Sequence, residues 1–241
     1  MQTDILAIGA HPDDVELCCA GTLAKLVRKG LRAVIVDVTE GELGTRGTKA
    51  IRSREATAAA AILGCTRENL FIPDGGIEVN AVNIRKMICL IRKYRPKMLL
   101  IPHWLERHPD HVHTHHLCKE AWFYAGLRKI PTKYKGRSQN PWRPGNYLHY
   151  MQWYEFSPSF IVDISDVYDV RLKAIRAHKS QFYDPRSKEP GTKLSEKTFL
   201  DFVRTRAKVY GVKIGVQYGE PFYSVEAIGI ENPLKLKMFR G

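Results

Sequence analysis

Short apolar runs alternate along the first half of the chain with longer segments whose apolar residues recur at helical spacing. The runs at 5–9, 33–39, 70–72 and 98–102 predict strands, and the segments at about 14–29, 50–63 and 80–94 predict the helices between them. Val34-Ile35-Val36-Asp37-Val38 is rich in β-branched residues, as expected of a strand covered on both faces. Gly30 and Gly64 stand where the first two helices should end in a C-terminal cap. This alternation predicts an α/β fold, a doubly wound and mainly parallel sheet in the order 3-2-1-4 with helices on both faces.

Beyond about residue 127 the pattern changes. Residues 129–146, rich in Pro, Lys, Arg and Gly, read as a long excursion. Strands are predicted at 148–153, 160–163 and 222–230, and helices near 166–180 and 194–210, with a polar loop at 184–191 between the helices. No internal repeat is present. The expectation is one domain over 1–241, with 128–241 roofing a core built by 1–127.

Composition narrows the class. At 44% hydrophobic and 26% charged, the chain is ordinary for a globular protein. No apolar run approaches the length of a membrane span, and no basic segment followed by an apolar one opens the chain. Five cysteines, an odd number, fit buried free thiols in a reducing cytoplasm better than disulfides. The net charge of +13 raises nucleic-acid binding, but the basic residues are dispersed and no nucleic-acid motif is present. A solvated basic surface that steers a small anionic substrate is the better reading, with neither a nucleic acid nor a membrane as partner.

Two polar clusters interrupt the apolar pattern. Ala10-His11-Pro12-Asp13-Asp14 follows the first strand, and Arg107-His108-Pro109-Asp110-His111 follows the fourth. In the order 3-2-1-4 those strands are neighbours, and ligands bind beyond their carboxyl ends where the winding reverses. The topology therefore brings the clusters into one site. His11 and Asp14 leave the strand and enter the helix at a spacing that lets both reach one ion. Capping of the helix accounts for one aspartate but not for His11 and both acids. His111 completes a His-Asp-His set that leaves a position for water, as in catalytic zinc sites; the same ligands accept Fe2+, Co2+ or Mn2+. Asp13 is then free to take a proton, and His108 to act as acid or oxyanion donor, with Asp110 orienting it and favouring its charged form. His113, His115 and His116 read as surface residues, although His115 stands at helical pair spacing from His111 and is an alternative ligand. Cys18, one turn past Asp14, reads as a core residue.

The loop at 41–47 carries three glycines but no Gly-Lys-Ser/Thr, so it is not a phosphate loop; it contacts substrate or simply connects. Arg52 opens the following helix and can point at the crevice. A nucleotide-binding protein is disfavoured because His-Pro-Asp-Asp stands where a Gly-x-Gly-x-x-Gly turn would be.

Ala10-His11-Pro12-Asp13-Asp14 together with His108-Pro109-Asp110-His111 resembles the LmbE-like (PIG-L) zinc-dependent N-deacetylases. The similarity continues through Thr39–Thr48, Phe160–Ser165 and Ala177–Phe182, stretches that resemble the bacillithiol-pathway subgroup acting on N-acetylglucosaminyl-malate. The resemblance implies one zinc per subunit on His11, Asp14 and His111, a general base at Asp13, an oxyanion histidine at His108 and an orienting acid at Asp110. It also implies a substrate-contacting arginine at Arg52. The two carboxylates of a malate add Arg46 and Arg107 as candidate contacts. A loop tyrosine of the relatives falls near Phe199 here, which has no hydroxyl, so either Tyr183 or Tyr218 substitutes for it or the role is absent. Relatives form hexamers or smaller homo-oligomers. Other acetylated amino sugars, a chitooligosaccharide or a mycothiol-type conjugate are alternative substrates. A non-catalytic metal- or nucleic-acid-binding protein is the alternative from a different class.

Overall fold

The computed structural model describes residues 2–236. The first half is β1 (Ile5–Gly9), α1 (Asp14–Arg28), β2 (Ala33–Asp37), α2 (Lys49–Leu63), β3 (Thr66–Asn69), α3 (Ala81–Tyr94), β4 (Met98–Ile101) and α4 (Pro109–Ala125). A small hairpin of β5 (Lys133–Tyr134) and β6 (Arg137–Ser138) occupies the excursion. The chain then forms β7 (Asn146–Tyr150), β8 (Phe160–Asp163), α5 (Tyr168–Ala177), α6 (Phe199–Val212) and β9 (Gly219–Tyr223). Seven strands form one sheet in the order β3-β2-β1-β4-β7-β9-β8, so the expected 3-2-1-4 order is present and extended. Pairing is parallel from β3 to β7, and β9 runs antiparallel to both β7 and β8.

Alternation along β1 divides the core. Ile5 and Ala7 face a layer with Val15, Leu23, Ala59, Ile175 and Val203 from α1, α2, α5 and α6. Leu6 and Ile8 face Met87, Ile91, Leu117 and Ala121 of α3 and α4. Each large aliphatic side chain withdrawn from water in this way stabilises the fold by about 1.5–3 kcal/mol.

Several boundaries differ from the expectation. β3 is Thr66–Asn69 rather than 70–72, because an edge strand pairs through its backbone and needs no apolar run. Leu70 and Ile72 are buried just after it. β7 ends at Tyr150, before the chain turns into the site. The last strand is Gly219–Tyr223, not 222–230; beyond it Ile228 and Ile230 are exposed. Pro221 is accommodated because β7 pairs only with Phe222 and Tyr223. The predicted helix 166–180 is a 3-10 turn at Ser165–Val167 followed by α5, and that at 194–210 begins later, at Phe199. Gly64 caps α2 in the left-handed conformation, whereas α1 ends at Lys29 with Gly30 (φ 82°) just beyond.

Glu220 of β9 locks the second half onto α1. Its carboxylate accepts the N–H groups of Gly21 (2.8 Å) and Thr22 (2.6 Å) and the Thr22 hydroxyl (2.7 Å), and it pairs with Arg171 of α5 at 3.0 Å. A side chain at Gly21 would lie 2.8 Å from that carboxylate, so the close approach requires glycine. This lock matters for function because α1 starts with Asp14.

Candidate active site

The turn from β1 to α1 is strained. Asp13 has φ 122°, a conformation that non-glycine residues rarely adopt and that must be held by its surroundings. Arg52, buried on α2, supplies the hold: its guanidinium donates to the carbonyls of Pro12 and Gly41, both at 2.8 Å, and lies 3.6 Å from Asp13 Oδ2. A Cβ on Gly41 would overlap that guanidinium. Within the turn, the His11 N–H donates to Asp14 Oδ2 at 2.9 Å.

The second cluster closes the site from β4. His108 is the N-cap of α4, its Nδ1 accepting the Asp110 N–H at 3.2 Å, and Pro109 occupies the first helical position. The Asp110 carboxylate turns to His11 instead: Oδ2 lies 3.3 Å from His11 Nε2 and accepts the Gly75 N–H at 2.9 Å. The expected side-chain contact from Asp110 to His108 is therefore replaced by a backbone one. His111 Nε2 lies 3.2 Å from Asp14 Oδ1.

Ligand atoms of His11, Asp14 and His111 lie within 4.8 Å of one another, and so do those of His11, His108 and Asp110. Two imidazoles and a carboxylate are a donor set suited to a divalent transition metal. The electrostatics agree with that fit. Burial disfavours a charged His11, yet Asp110, Asp14 and Asp74 raise its proton affinity well above that of ordinary histidine. A site so negative attracts a cation of any kind. Burial also disfavours an ionised Asp14, but His111 and His11 hold it well below the usual carboxylate range. Asp13 behaves oppositely: burial pushes it up to about 6 against the pull of Arg52, with repulsion from Asp14 adding to the rise. His108 is lowered, by burial and then by His11 and His111, which outweigh Asp110. Asp110 does favour the charged imidazole, as the sequence suggested, but the net effect of the surroundings is the opposite.

A cavity of about 430 Å3 opens over these residues. Leu43, Gly44 and Thr45 of the glycine loop line it, as do Trp153, Phe199 and Phe202. Arg52 and Arg107 reach it, the latter stacked over Trp153 at 4.5 Å. Arg46 does not: it is buried, donates to the Ser187 hydroxyl at 2.8 Å and lies 3.6 Å from Glu189. His115 packs against the Pro102 carbonyl and His149, in neither candidate metal group. Cys18 lines the cavity floor as a buried free thiol that burial keeps protonated. Neither Tyr183, which is exposed, nor Tyr218, stacked on Tyr168 at 3.7 Å, lines the cavity.

Several lining residues escaped the sequence reading, Asp74, Gln152 and Arg206 among them. Asp74 Oδ1 lies 3.0 Å from His11 Nε2, and its Oδ2 accepts the Leu43 N–H at 3.0 Å. Gln152 donates to Asp14 Oδ1 at 3.1 Å. Arg206 donates to the Gln152 and Leu17 carbonyls from α6. Asp74 follows β3 and Gln152 follows β7, on the rim where β1 and β4 also end, so topology was the available signal. Nothing in the sequence singled out Arg206.

Residues 6–122 match the family model described as PIG-L: GlcNAc-PI de-N-acetylase. The chain is 32% identical over 239 residues to the diacetylchitobiose deacetylase of Thermococcus kodakarensis, covering 93% of this chain and 84% of that one. The conserved protein TT1542 from Thermus thermophilus superposes with a TM-score of 0.85 at 34% identity, over 95% of this chain and 97% of its own. The N,N'-diacetylchitobiose deacetylase from Pyrococcus horikoshii, complexed with its inhibitor MPG, superposes with a TM-score of 0.78 at 31% identity, over 91% and 82%.

Proposed function

Because the chain belongs to the PIG-L family of de-N-acetylases, we propose that it is a metal-dependent amidohydrolase that removes the acetyl group from an N-acetylglucosamine conjugate, N-acetylglucosaminyl-malate in particular. The observation that carries this reading is the convergence of His11, Asp14 and His111 beside two groups left for proton work, Asp13 and His108. In this reading His11, Asp14 and His111 hold one zinc ion, or Fe2+, Co2+ or Mn2+ in its place. The bound ion supplies Lewis acidity, lowering the pKa of a water and polarising the acetyl carbonyl. Asp13 accepts the proton of the attacking water and returns it to the leaving amine. His108 donates from Nε2 to the acetyl oxygen as negative charge develops there. Arg52 acts by fixing the Asp13 turn.

The malate assignment draws on charge. Among the described residues, Arg107 is a cavity cation with no carboxylate within ion-pair distance, while Arg46, Arg52 and Arg206 are engaged by other protein groups. An anionic substituent on the sugar suits that wall.

The test is acetate release by zinc-reconstituted protein from N-acetylglucosaminyl-malate, N-acetylglucosamine and diacetylchitobiose, with chelated and Asp13→Ala protein alongside. Preference for the malate conjugate, lost in both controls, supports the whole reading. Release only from the neutral sugars keeps the deacetylase and discards the malate. No release from any of them, with zinc bound, defeats the reading.

A further inference from the structure

Gln152 stands two residues beyond the end of β7 and is buried against the candidate metal ligands. Its Nε2 donates to Asp14 Oδ1 at 3.1 Å and lies 3.4 Å from His111 Nε2. The other oxygen of Asp14 takes the His11 N–H, so two donors from different elements fix both carboxylate oxygens. A carboxylate offers only acceptors here, which requires the nitrogen end of the amide to face it. The oxygen end then points elsewhere, and Gln152 Oε1 is buried with no hydrogen-bond partner among the described residues.

An orphaned buried acceptor is destabilising, and a leucine of similar size would spare the fold that loss. The amide is therefore kept at a position where stability argues against it. Its one favourable connection is to Asp14 and His111, and partners of this kind orient metal ligands and tune their affinity.

We propose that Gln152 is a positioning residue that aligns Asp14 and His111 for a divalent cation, retained at the expense of stability. The inference rests on reading His11, Asp14 and His111 as a metal centre and is independent of which sugar is hydrolysed.

The experiment compares wild type with Gln152→Leu and Gln152→Asn. Zinc affinity is measured by chelator competition, and thermal unfolding of the metal-free proteins by circular dichroism. The expected result is a zinc dissociation constant raised about tenfold or more in both variants. Metal-free Gln152→Leu should melt no lower than wild type. Unchanged zinc affinity overturns the proposal. So does a parallel fall in affinity and metal-free stability, which would mark a merely structural role; Gln152→Asn keeps the test decisive if Gln152→Leu misfolds. Acetate release is followed in the same preparations. Zinc binding by wild type without acetate release defeats the deacetylase reading while leaving this inference to the affinity result. A wild type that binds no divalent cation overturns both.

Discussion

The backbone N–H of Asp110 donates to Nδ1 of His108 at 3.2 Å, and this one bond sets which tautomer the histidine presents. With the Nδ1 lone pair engaged as a helix cap, a neutral imidazole carries its proton on Nε2. Burial and the neighbouring His11 and His111 favour that neutral form. His108 is thereby prepared to donate a hydrogen bond without giving up its proton.

Two substitutions separate the cap from the chemistry. His108→Ala removes both and should lose about 1 kcal/mol of stability with the cap. Its kcat should fall by about 100- to 1000-fold, as for loss of one oxyanion donor. His108→Asn restores a good cap and should recover the stability but not the rate. Steady-state kinetics with urea unfolding decide it, and an active His108→Asn would remove His108 from the oxyanion role.

Asp13→Asn tests the proton acceptor. Asparagine tolerates positive φ, so the strained turn at 122° should survive and the protein should melt no lower than wild type. Zinc stoichiometry should stay at the wild-type value, since Asp13 is outside the His11, Asp14, His111 group. The kcat should fall by about 100- to 10,000-fold. Loss of zinc along with activity would instead make Asp13 a ligand.

The sheet order and the two histidine clusters were legible in the sequence because both are local signals: β-branched runs mark buried strands, and His-Pro-Asp interrupts them. The edge strand Thr66–Asn69 was not, since Arg67 and Glu68 serve charge pairs rather than the core. Apolar Leu70 and Ile72 drew the assignment because burial, which hydrophobicity reports, is a different property from pairing. Arg46 shows the limit for the site. Its glycine neighbours left its direction open, and only the packing of residues 184–191 turned it away from the cavity. Asp74 and Gln152 carry no motif, and their roles exist only where the strand ends meet.

The contrast between Arg46 and Arg107 gives a further prediction. Arg107→Ala should raise KM for the malate conjugate about tenfold, the loss of one charged hydrogen bond, with less effect on N-acetylglucosamine. Arg46→Ala should leave that preference alone and expose the 184–191 segment, seen as faster hydrogen exchange there. If Arg46→Ala alters the malate preference and Arg107→Ala does not, the anion-binding wall is misplaced.

Acid sensitivity should come partly from outside the site. His149 is pushed down to about 3 by burial and by the nearby His115, His103 and Lys119, and His115 to about 4 by burial and by His116. Both fold as neutral rings packed among aromatics, His149 lying 5.0 Å from the Trp104 ring. The unfolded chain, with histidine near 6.5, binds protons that the folded one refuses, so ΔG of unfolding rises with pH in this window. The contribution is complete above about 6.5 and is lost as pH falls toward 4 and 3, at up to about 1.4 kcal/mol per pH unit for each ring. Replacing His149 with Phe removes one such proton uptake and keeps an aromatic in the cluster. Urea unfolding of metal-free protein at pH 7, 6 and 5 should therefore show a shallower decline for His149→Phe than for wild type. Equal slopes would mean that His149 is protonated in the folded protein, and that the packing around it admits the charge.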